Sequence, residues 1–450
     1  MPIEKGAQII EGKTKIIWAI KGKSGQNAVL VEHKNTITAH DDPSLTREFP
    51  SKAEHSTTTT CRVFELLKAA GIPVAYREQV SPTEFVADSC RMIPLEVIAR
   101  RLAVGSYLKR FPHLTSLKGN NPHRFHRLII EFFLKTTKGE LFNADGEILV
   151  SDLDWSQEGG EEDPFIPNPF DPEWKLFHSK KPGWDPEANL DQTVNAQQAL
   201  DRSDTKAFME EMQDIMRRVF LVLEGAWNTL GLRLIDMKIE FGINHAGELV
   251  VSDVIDNDSW RLRTHDWQEL SKQAFREGEK LDEVERKYGI VADLVKRFRI
   301  PQQALIFWTG SKSDELDAST TKLFQDALIN GINFEQIVLS GHKKPRTALD
   351  KLEQIMAQYP DGGVIIVMVG RSNGLGPILA ARTSWPVIAI PATLKDFPDD
   401  AWSSLRMPSE VPLLTAWPSN NAALAALNIL ANKNPVAYMI RQLAIENLDH

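Results

Sequence analysis

Two acidic residues and a lysine near the middle of the chain form the pattern with the clearest chemical meaning. Residues 234–260 predict a β-hairpin, because two apolar runs flank the turn-forming cluster Asn-His-Ala-Gly. Pairing about the midpoint between Ala246 and Gly247 places Glu240 opposite Asp253, with Lys238 on the same face. Facing carboxylates repel unless a cation lies between them, and Mg²⁺ bound to nucleotide phosphates is a usual occupant. We therefore predict a metal site at Glu240 and Asp253; a solvated face with Lys238 between two acids is the alternative.

The opposite face of the same hairpin is apolar, so we expect it to pack in the core. With a side-chain period of two, this face carries Met237, Ile239, Phe241, Val250 and Val254. A helix predicted at about 204–230, with an apolar stripe at helical spacing and a stop at Gly231, leads the chain into the hairpin.

Length and composition describe an ordinary soluble enzyme with more than one domain. The 450-residue chain exceeds a single typical core, and its 25% charged and 42% hydrophobic residues are usual for a globular protein. The net charge of -9 argues against a nucleic-acid partner. Cys61 and Cys90 lack metal-ligand spacing, which favours ordinary thiols. Because neither a signal-peptide pattern nor a bilayer-length apolar run is present, we expect a cytoplasmic protein with no membrane partner.

A short lysine-rich turn near the N-terminus is a candidate phosphate contact. Strand-like runs flank Gly12, which places Lys13, Thr14 and Lys15 at or near a tight turn. Backbone amides and two ammonium groups can approach a polyphosphate closely there, although the sequence is not the longer P-loop pattern. An ordinary Gly-Lys turn is the alternative.

Residues 92–110 combine one acid with several cations. The pattern predicts a strand that leads into a helix ending near Gly105, with Glu96 projecting from the strand into a cleft. Donors suited to a phosphate or carboxylate ligand follow at Arg100, Arg101, Ser106, Lys109 and Arg110. A basic surface helix is the alternative.

The segments on either side of the hairpin follow different patterns. Residues 136–201 are dense in Pro, Trp, Asp and Gly without a sustained period, which predicts a long irregular insertion, lid or crossing segment. Arg261, Lys272 and Arg276 add cations after the hairpin. A charged amphipathic helix that ends before Pro301 marks the best domain boundary.

The last third of the chain alternates short apolar runs with helical segments. Apolar runs at 304–310, 335–341, 363–370 and 385–392 predict a parallel, doubly wound α/β sheet, whose ligands bind at the carboxyl ends of its strands. Candidate phosphate-binding and reactive residues therefore lie in the loops that follow: Gly310, Ser311, Lys312, Ser313, Asp314, Ser340, Gly341, His342, Lys343, Gly370, Arg371, Ser372, Asn373 and Gly374. His342 could shuttle a proton near neutral pH; a structural histidine is the alternative.

Several motifs resemble two known enzyme families. EGKTK at 11–15, IPLEVIARRLAVGSYLKR at 93–110 and LIDMKIEFG followed by SDVIDNDSWRL resemble SAICAR synthetase. TGSKSD at 309–314, SGHKKP at 340–345, GRSNGLGP at 370–377 and AWSSLRMP at 401–408 resemble the phosphoribosylaminoimidazole carboxylase class that uses CO₂ directly. In this order, and along nearly the whole chain, they are similar to the animal bifunctional family of purine biosynthesis.

The resemblance implies an architecture and a set of roles. Residues 1–278 would form an α+β, ATP-grasp-like synthetase domain with antiparallel sheets, 279–301 a helical linker, and 302–450 a doubly wound, parallel-sheet α/β carboxylase domain. Implied ATP contacts are Lys13, Thr14, Lys15, Lys238 and Glu240, with Lys238 also catalytic and Mg²⁺ on Glu240 and Asp253. Implied contacts to the nucleotide or aspartate are Glu96, Arg100, Ser106, Asp258, Arg261, Lys272 and Arg276. In the carboxylase half, His342 and Lys343 would handle the proton and CO₂, and substrate would contact Gly310, Ser311, Ser313, Asp314, Ser340, Arg371, Ser372, Asn373 and Gly374.

The implied function is a pair of consecutive reactions on small-molecule substrates. Aminoimidazole ribotide would be carboxylated by CO₂ without biotin, and the new carboxylate would be ligated to L-aspartate with ATP and Mg²⁺. The resemblance also implies a homo-octamer assembled through the C-terminal domain. Two alternatives stay open: a ligase whose carboxylase half is a scaffold or acts on another substrate, and a catalytically silent nucleotide-binding assembly protein.

The chain departs from the family pattern at several positions near the implied sites. The family usually has alanine where Gly341 and Val369 stand, and we expect Val369 to add bulk beside the carboxylase pocket. Aspartates that usually follow the Phe-Phe-Lys run are replaced by Thr136 and Thr137. These are the positions where the geometry of this chain is expected to differ from the family pattern.

Overall fold

The structure, a computed structural model, describes residues 3–22, 27–38, 46–116, 122–153, 163–312, 316–329 and 331–448. The chain divides into two units, residues 1–68 with 72–298 and residues 69–71 with 299–450. Within the described ranges, no helix is both long and apolar enough to cross a membrane.

The first unit is built mainly from antiparallel strands. Its strands are β1 (Lys5–Glu11), β2 (Lys15–Ile20), β3 (Ala28–His33), β4 (Thr36–Thr38), β5 (Thr46–Glu48), β6 (Tyr76–Ser81), β7 (Glu84–Asp88), β8 (Arg91–Leu102), β9 (Arg124–Leu134), β10 (Leu141–Phe142), β11 (Ile148–Val150), β12 (Phe165–Ile166), β13 (Glu173–Phe177), β14 (Asn189–Asn195), β15 (Leu232–Ile243), β16 (Leu249–Ser252) and β17 (Trp260–Thr264). Its α-helices are α1 (Lys52–Ala69), α2 (Ser106–Arg110), α3 (Ala196–Leu200), α4 (Thr205–Thr229), α5 (Gln273–Arg276) and α6 (Leu281–Val295), with 3-10 turns at Pro112–Ser116 and Pro186–Ala188.

The largest sheet of the first unit has the strand order β14-β13-β12-β9-β8-β15-β16, and β17 also pairs with β15. Its longest strands include β8 and β15, which pair antiparallel with each other. Helix α4 forms at the predicted place and packs against β15, with Phe208, Met212, Met216 and Val219 buried in the predicted stripe. Burial of this stripe fixes the strands that carry the charged face of the hairpin.

The predicted hairpin forms from β15 and β16, but its register differs by one residue. Glu240 pairs with Ser252, so the predicted pairing of Glu240 with Asp253 is wrong. The cause lies in the turn, where the Asn244 side chain accepts a hydrogen bond from the backbone amide of Glu248 at 3.0 Å and closes a loop with an odd number of residues. Asp253 then lies just beyond β16, in the left-handed region with φ of 62°.

The one-residue difference also changes which face the side chains of β16 take. Val250 pairs with Gly242 and therefore shares the face of Glu240, so its predicted face is wrong, although its side chain is buried as expected. Val251, paired with Phe241, takes the opposite face and is fully buried. Val254 lies beyond β16 and is half-buried, so its predicted core placement is wrong. The predicted core residues of β15 are buried as expected: Met237, Ile239 and Phe241.

Strand β8 extends farther than predicted, so Arg100 and Arg101 lie on a strand and not on a helix. Helix α2 begins directly after Gly105 instead of ending there. Gly105 has φ of 59°, a conformation that favours glycine, and a Cβ at this position would lie 2.5 Å from the Arg261 guanidinium. The glycine thus separates strand from helix and leaves room for an arginine.

The region predicted as an irregular insertion contributes strands to the largest sheet. Strand β12 pairs with β9, β13 with β12, and β14 with β13, so the predicted absence of regular structure is wrong for residues 165–195. Trp174 and Leu176 are buried at alternate positions of β13. The period of two was obscured because these strands are short and proline-rich segments separate them. Residues 154–162 of the predicted insertion lie outside the described residues.

A second sheet of the first unit has the order β1-β2-β3-β7-β6. Its first two strands form the predicted hairpin around Gly12, whose backbone amide donates to the Lys15 carbonyl at 2.9 Å. The segment predicted as a linker contains α6, and Val284 and Tyr288 of this helix pack with Phe49 in a core cluster of the first unit. Our division of the chain into two domains and a linker stays a prediction.

The second unit is the predicted parallel α/β sheet. Its strands are β18 (Ala304–Thr309), β19 (Asn333–Val338), β20 (Gly363–Val369), β21 (Val387–Pro391) and β22 (Leu413–Thr415), in the order β19-β18-β20-β21-β22. Its α-helices are α7 (Ala318–Ile329), α8 (Pro345–Gln358), α9 (Leu375–Ala380), α10 (Trp402–Leu405), α11 (Ser419–Ala431) and α12 (Pro435–Glu446), with a 3-10 turn at Pro398–Ala401. All four strand pairings are parallel, which confirms the predicted fold class. Sequence reasoning missed only the short strand β22 among the described strands of this unit.

The stability of the first unit depends on a buried ion pair between β8 and α4. Arg101 donates to both oxygens of Glu224 at 2.9 Å, and both side chains are almost fully buried. We expect Arg101→Met alone to lower the free energy of unfolding by about 3–5 kcal/mol, because Glu224 would be left as a buried charge without this partner. Combining Arg101→Met with Glu224→Leu should recover most of that loss. Urea denaturation of the full chain measures both effects, and equal losses in the single and double variants would contradict this account.

Candidate functional site

A cavity of about 510 Å³ in the first unit gathers the predicted residues of the synthetase half. The residues predicted to bind ATP, metal, nucleotide or aspartate that line it are Lys13, Thr14, Lys15, Glu96, Arg100, Ser106, Lys238, Glu240, Asp253, Asp258, Arg261, Lys272 and Arg276. They come from the β1–β2 turn, from β8 and β15, and from the segments after β16. Motifs distant in sequence therefore converge on one place. Three candidate donors of residues 92–110 do not line the cavity: Arg101, Lys109 and Arg110. Arg101 pairs with Glu224 and Arg110 with Glu131, so the prediction that these two arginines contact a ligand is wrong.

Alternating acids and lysines form the floor of this cavity. Strand pairing places Glu240 of β15 opposite Glu96 of β8, and the Lys238 ammonium bridges them, at 2.6 Å from Glu96 and 3.1 Å from Glu240. Lys135 also contacts Glu240. Two facing carboxylates with a cation between them therefore exist, but the partner of Glu240 is Glu96 and the cation in the structure is a lysine.

The charges of this floor stabilise one another. Burial alone would raise the pKa of Glu240, but the ammonium groups of Lys238, Lys135 and Lys15 outweigh it and lower this pKa to about 2. Burial alone would lower the pKa of Lys238, but the carboxylates of Glu96 and Glu240 raise it above its usual value. Both groups are therefore ionised at neutral pH.

Asp253 lies on the same cavity wall and is paired with Lys15 of the β1–β2 turn. This pairing brings the predicted phosphate-binding turn next to the predicted metal ligand. Among the described residues, no group of three or more His, Cys, Asp or Glu side chains is arranged to hold a metal ion. The two predicted metal ligands, Glu240 and Asp253, each contact a lysine.

Two arginines share one buried aspartate at another part of the cavity. Arg100 donates to Asp236 at 2.5 Å, to Glu131 at 2.6 Å and to the Ser106 hydroxyl at 3.2 Å. Arg261 donates to the same oxygen of Asp236 at 2.5 Å. These bonds fix the planar guanidinium groups in place, and fixed guanidinium groups suit a phosphate or carboxylate ligand.

Sequence reasoning missed several polar residues of the cavity wall: Thr38, Lys135, Thr136, Asp163 and Asp236. Asp236 could have been found, because it precedes Lys238 and Glu240 at a spacing of two on the same strand. Asp163 could not have been found, because it is distant in sequence and only the fold brings it to the cavity wall. There its carboxylate accepts a hydrogen bond from the backbone amide of Thr136 at 3.2 Å. It brings a carboxylate to the place where the family aspartates are replaced by threonine.

In the second unit, the predicted residues lie at the carboxyl ends of adjacent parallel strands. Gly310 and Ser311 follow β18, His342 and Lys343 follow β19, and the segment 371–374 follows β20. Strand β18 lies between β19 and β20, so these loops meet at one edge of the sheet. The predicted residues Ser313 and Asp314 lie outside the described residues.

His342 is the best-defined reactive group at this edge. Its Nε2 lies 3.4 Å from the Ser372 hydroxyl, and its side chain is exposed. A Cβ added to Gly374 would lie 2.2 Å from the same ring nitrogen. The loop after β20 therefore contacts the imidazole from one side, and a side chain at position 374 would displace the ring from this position.

The neighbouring predicted residues have defined contacts of their own. The Ser340 hydroxyl accepts a bond from the Lys343 backbone amide at 3.3 Å, and the Arg371 guanidinium lies 3.8 Å above the Phe397 ring. The buried Asn373 amide donates to the Ser404 hydroxyl at 3.0 Å and accepts from a backbone amide of α9. Asn373 thus holds the loop against the fold with both ends of its side chain.

Two departures from the family pattern have structural explanations. A Cβ at Gly341 would lie 2.9 Å from the Leu375 Cα, so alanine at this position would collide with α9. Val369 is buried in the core cluster of the second unit together with Val367 and Leu375. The expectation that Val369 adds bulk beside the pocket is therefore wrong, because its side chain packs in the core.

Both halves of the chain match known protein families. Residues 8–157 and 180–293 match the SAICAR synthetase family, and residues 304–444 match the AIR carboxylase family.

Two of the proteins similar to this chain are similar over nearly its whole length. The probable multifunctional protein ADE2 of Caenorhabditis elegans is 34% identical, with 96% of this chain and 91% of that protein covered. The bifunctional phosphoribosylaminoimidazole carboxylase/phosphoribosylaminoimidazole succinocarboxamide synthetase of Homo sapiens is 31% identical, with 98% and 94% covered. A crystal structure of phosphoribosylaminoimidazole-succinocarboxamide synthase from Ehrlichia chaffeensis is 21% identical with a TM-score of 0.47, covering 65% of this chain and all of that one. The chain belongs to the bifunctional family that joins a SAICAR synthetase domain to an AIR carboxylase domain.

Proposed function

We propose that the chain catalyses two consecutive steps of purine biosynthesis. The second unit would carboxylate aminoimidazole ribotide with CO₂, and the first would ligate the new carboxylate to L-aspartate with ATP, giving SAICAR. The observation that carries this proposal is the convergence of the synthetase motifs on one charged cavity. Similarity to bifunctional relatives along both halves gives no support to a silent or scaffold-like alternative. The working domains would be residues 1–278 and 302–450, with 279–301 between them.

In the first unit, the charged side chains suit phosphoryl transfer followed by amide formation. The ammonium groups of Lys13, Lys15 and Lys238 would neutralise the ATP phosphates. The substrate carboxylate would attack the terminal phosphorus, which releases ADP and forms an acyl phosphate. The amine of aspartate would then attack the acyl carbon, expel inorganic phosphate and give up a proton to solvent. Both steps require positioning and charge neutralisation, which fits a wall rich in lysine and arginine.

The donor set of the same cavity fits Mg²⁺. Glu240 and Asp253 supply carboxylate oxygens on the cavity wall, and Mg²⁺ in proteins is commonly held by one or two carboxylates together with substrate phosphates. When bound, the ion would supply charge neutralisation to the phosphates. The lysines beside these carboxylates would hold them ionised until the nucleotide arrives.

In the second unit, His342 would act as the proton shuttle of a direct carboxylation. The ring carbon would form a bond to CO₂, and His342 would take the proton that this carbon loses. The Lys343 ammonium would stabilise the new carboxylate. Because CO₂ reacts directly, this scheme uses neither ATP nor biotin at the carboxylation step.

Assembly and location complete the proposal. Exposed large apolar side chains of the second unit include Phe397, Trp402, Leu405, Leu414 and Trp417. We propose that such side chains are covered in a homo-octamer formed through this unit, as the family likeness implies. A cytoplasmic location is proposed from the unpaired thiols of Cys61 and Cys90, which suit a reducing compartment.

Removing the charge of Glu240 should separate the two activities. We expect Glu240→Gln to lower kcat/KM for ATP-dependent amide formation by about 100-fold or more, because a carboxylate that would hold the Mg²⁺ at the ATP phosphates is lost. Carboxylation without ATP should stay within twofold of wild type. Mass spectrometry of both products measures the two rates, and Glu248→Gln, in the exposed hairpin turn, is the control. Equal loss of both activities in a folded Glu240→Gln protein would contradict the two-site proposal.

A methyl group at Gly374 should displace His342. We expect Gly374→Ala to lower the ATP-independent carboxylation rate by about 100-fold, since the added Cβ would occupy the present position of the imidazole ring. Gly183→Ala in the first unit is the control, because a Cβ at Gly183 meets nothing within 4 Å. Ligation of supplied carboxylated nucleotide should be unchanged in both variants. Normal carboxylation by Gly374→Ala would contradict the role of His342.

Charge on the exposed apolar side chains of the second unit should prevent assembly. Light scattering of the wild type should give a mass of about eight chains of 50.7 kDa each. Trp402→Asp combined with Leu414→Asp should give smaller species, because apolar side chains that assembly would bury become charged. Trp184→Asp, at an exposed residue of the first unit, is the control and should leave the mass unchanged. A monomeric wild type would refute the octamer.

A further inference from the structure

Asp258 lines the first-unit cavity, and both of its carboxylate oxygens are hydrogen-bonded, one of them by a tyrosine that does not line the cavity. The Tyr288 hydroxyl donates to Oδ1 at 2.5 Å, and the Lys272 ammonium donates to Oδ2 at 3.1 Å. The Lys52 ammonium lies 3.8 Å from Oδ2. Lys272 lines the cavity, whereas Tyr288 and Lys52 approach from helices α6 and α1.

Lys52 is unusual because its ammonium group is completely buried and has no hydrogen-bond partner among the described residues. An isolated buried ammonium is costly unless a nearby negative charge compensates it. Burial alone would raise the pKa of Asp258, but Lys52 and then Lys272 outweigh it and keep this pKa below its usual range. The two charges therefore stabilise each other, and Asp258 stays ionised beside the cavity.

Tyr288 is held too firmly to be an accidental contact of Asp258. Its ring is 1% exposed, packs edge-on against Phe49 with centroids 5.5 Å apart, and belongs to a core cluster with Val284. The backbone of Asp258 is fixed as well, because its amide donates to the Asp256 carboxylate at 2.9 Å. A rigid donor and a rigid backbone leave the carboxylate one orientation.

We propose that Tyr288 and Lys52 are positioning residues of the amide-forming reaction and act through Asp258. A carboxylate accepts about four hydrogen bonds, and the bonds from Tyr288 and Lys272 leave acceptor capacity directed at the cavity. That capacity suits an N–H or O–H donor of the substrate. The amine of aspartate and the amino or hydroxyl groups of the carboxylated nucleotide share this chemistry. The inference rests on the proposed ligase function of this cavity.

The test compares KM values of the full-length enzyme for its three ligase substrates. We expect Tyr288→Phe to raise KM by about tenfold for the substrate that Asp258 binds, with KM for ATP changed less than twofold. An effect on aspartate alone identifies its amine as the donor, and an effect on the nucleotide alone identifies that substrate. Tyr76→Phe is the matched control, because Tyr76 is also buried and donates to a carboxylate, that of Glu65, at 3.1 Å.

A double-mutant cycle separates positioning from general loss of stability. If Tyr288 acts through Asp258, the fold-change in kcat/KM caused by Tyr288→Phe should disappear in an Asp258→Asn background. Lys52→Gln should raise the same KM as Tyr288→Phe. It provides the test if the Tyr288→Phe protein fails to fold. Wild-type KM values in both folded variants, or full additivity in the cycle, would overturn the inference. A wild type that forms no amide product would instead refute the proposed function itself.

Discussion

The first unit depends on one buried carboxylate being kept ionised in its largest sheet. Glu240 lies on the long strand β15, faces Glu96 across the β8 pairing, and is compensated by Lys238 between them. The surrounding lysines outweigh the effect of burial and lower the pKa of Glu240 to about 2. Without those cations β8 and β15 would bring like charges together at the place where they must pair. The pairing of these strands and the charged cavity therefore depend on the same side chains.

This constraint explains why the cavity wall is so densely paired. Several cations of the wall have an acid beside them, as Lys15 has Asp253 and Arg261 has Asp236. Such pairs hold long side chains in place before a ligand arrives, so less conformational entropy is lost on binding. An incoming polyphosphate competes with the acids for these cations. A metal ion bound by the released carboxylates would keep the total charge of the cavity balanced.

The sequence predicted the residues of this cavity better than it predicted their pairing. Period and residue type placed Lys238 and Glu240 on one charged face, and that face exists. The partner of Glu240 could not be predicted, because a side-chain hydrogen bond of Asn244 sets the turn and shifts the register. Its real partner, Glu96, lies on a strand more than 130 residues earlier in the chain, at a distance that local pattern does not reach.

The second unit was the easier half to predict. Fully buried parallel strands such as β18 and β20 appear in the sequence as continuous apolar runs. The loops that follow these runs lie at one edge of the sheet, because the strands are parallel. The roles of Val369 and Asn373 were harder, because only packing shows that one side chain is in the core and the other holds its loop to α10. Likewise, Asp163 reaches the first-unit cavity only after short strands extend the sheet through a proline-rich segment.

The proposed function requires that one chain hold two chemically independent sites used in sequence. The decisive experiment incubates the wild-type protein with aminoimidazole ribotide, bicarbonate, Mg²⁺ and aspartate, with and without ATP, and follows all products by mass spectrometry. We expect carboxylated nucleotide in both mixtures, but SAICAR with equimolar ADP only when ATP is present. Carboxylation that requires ATP, or no SAICAR when carboxylated nucleotide and ATP are supplied together, would contradict it.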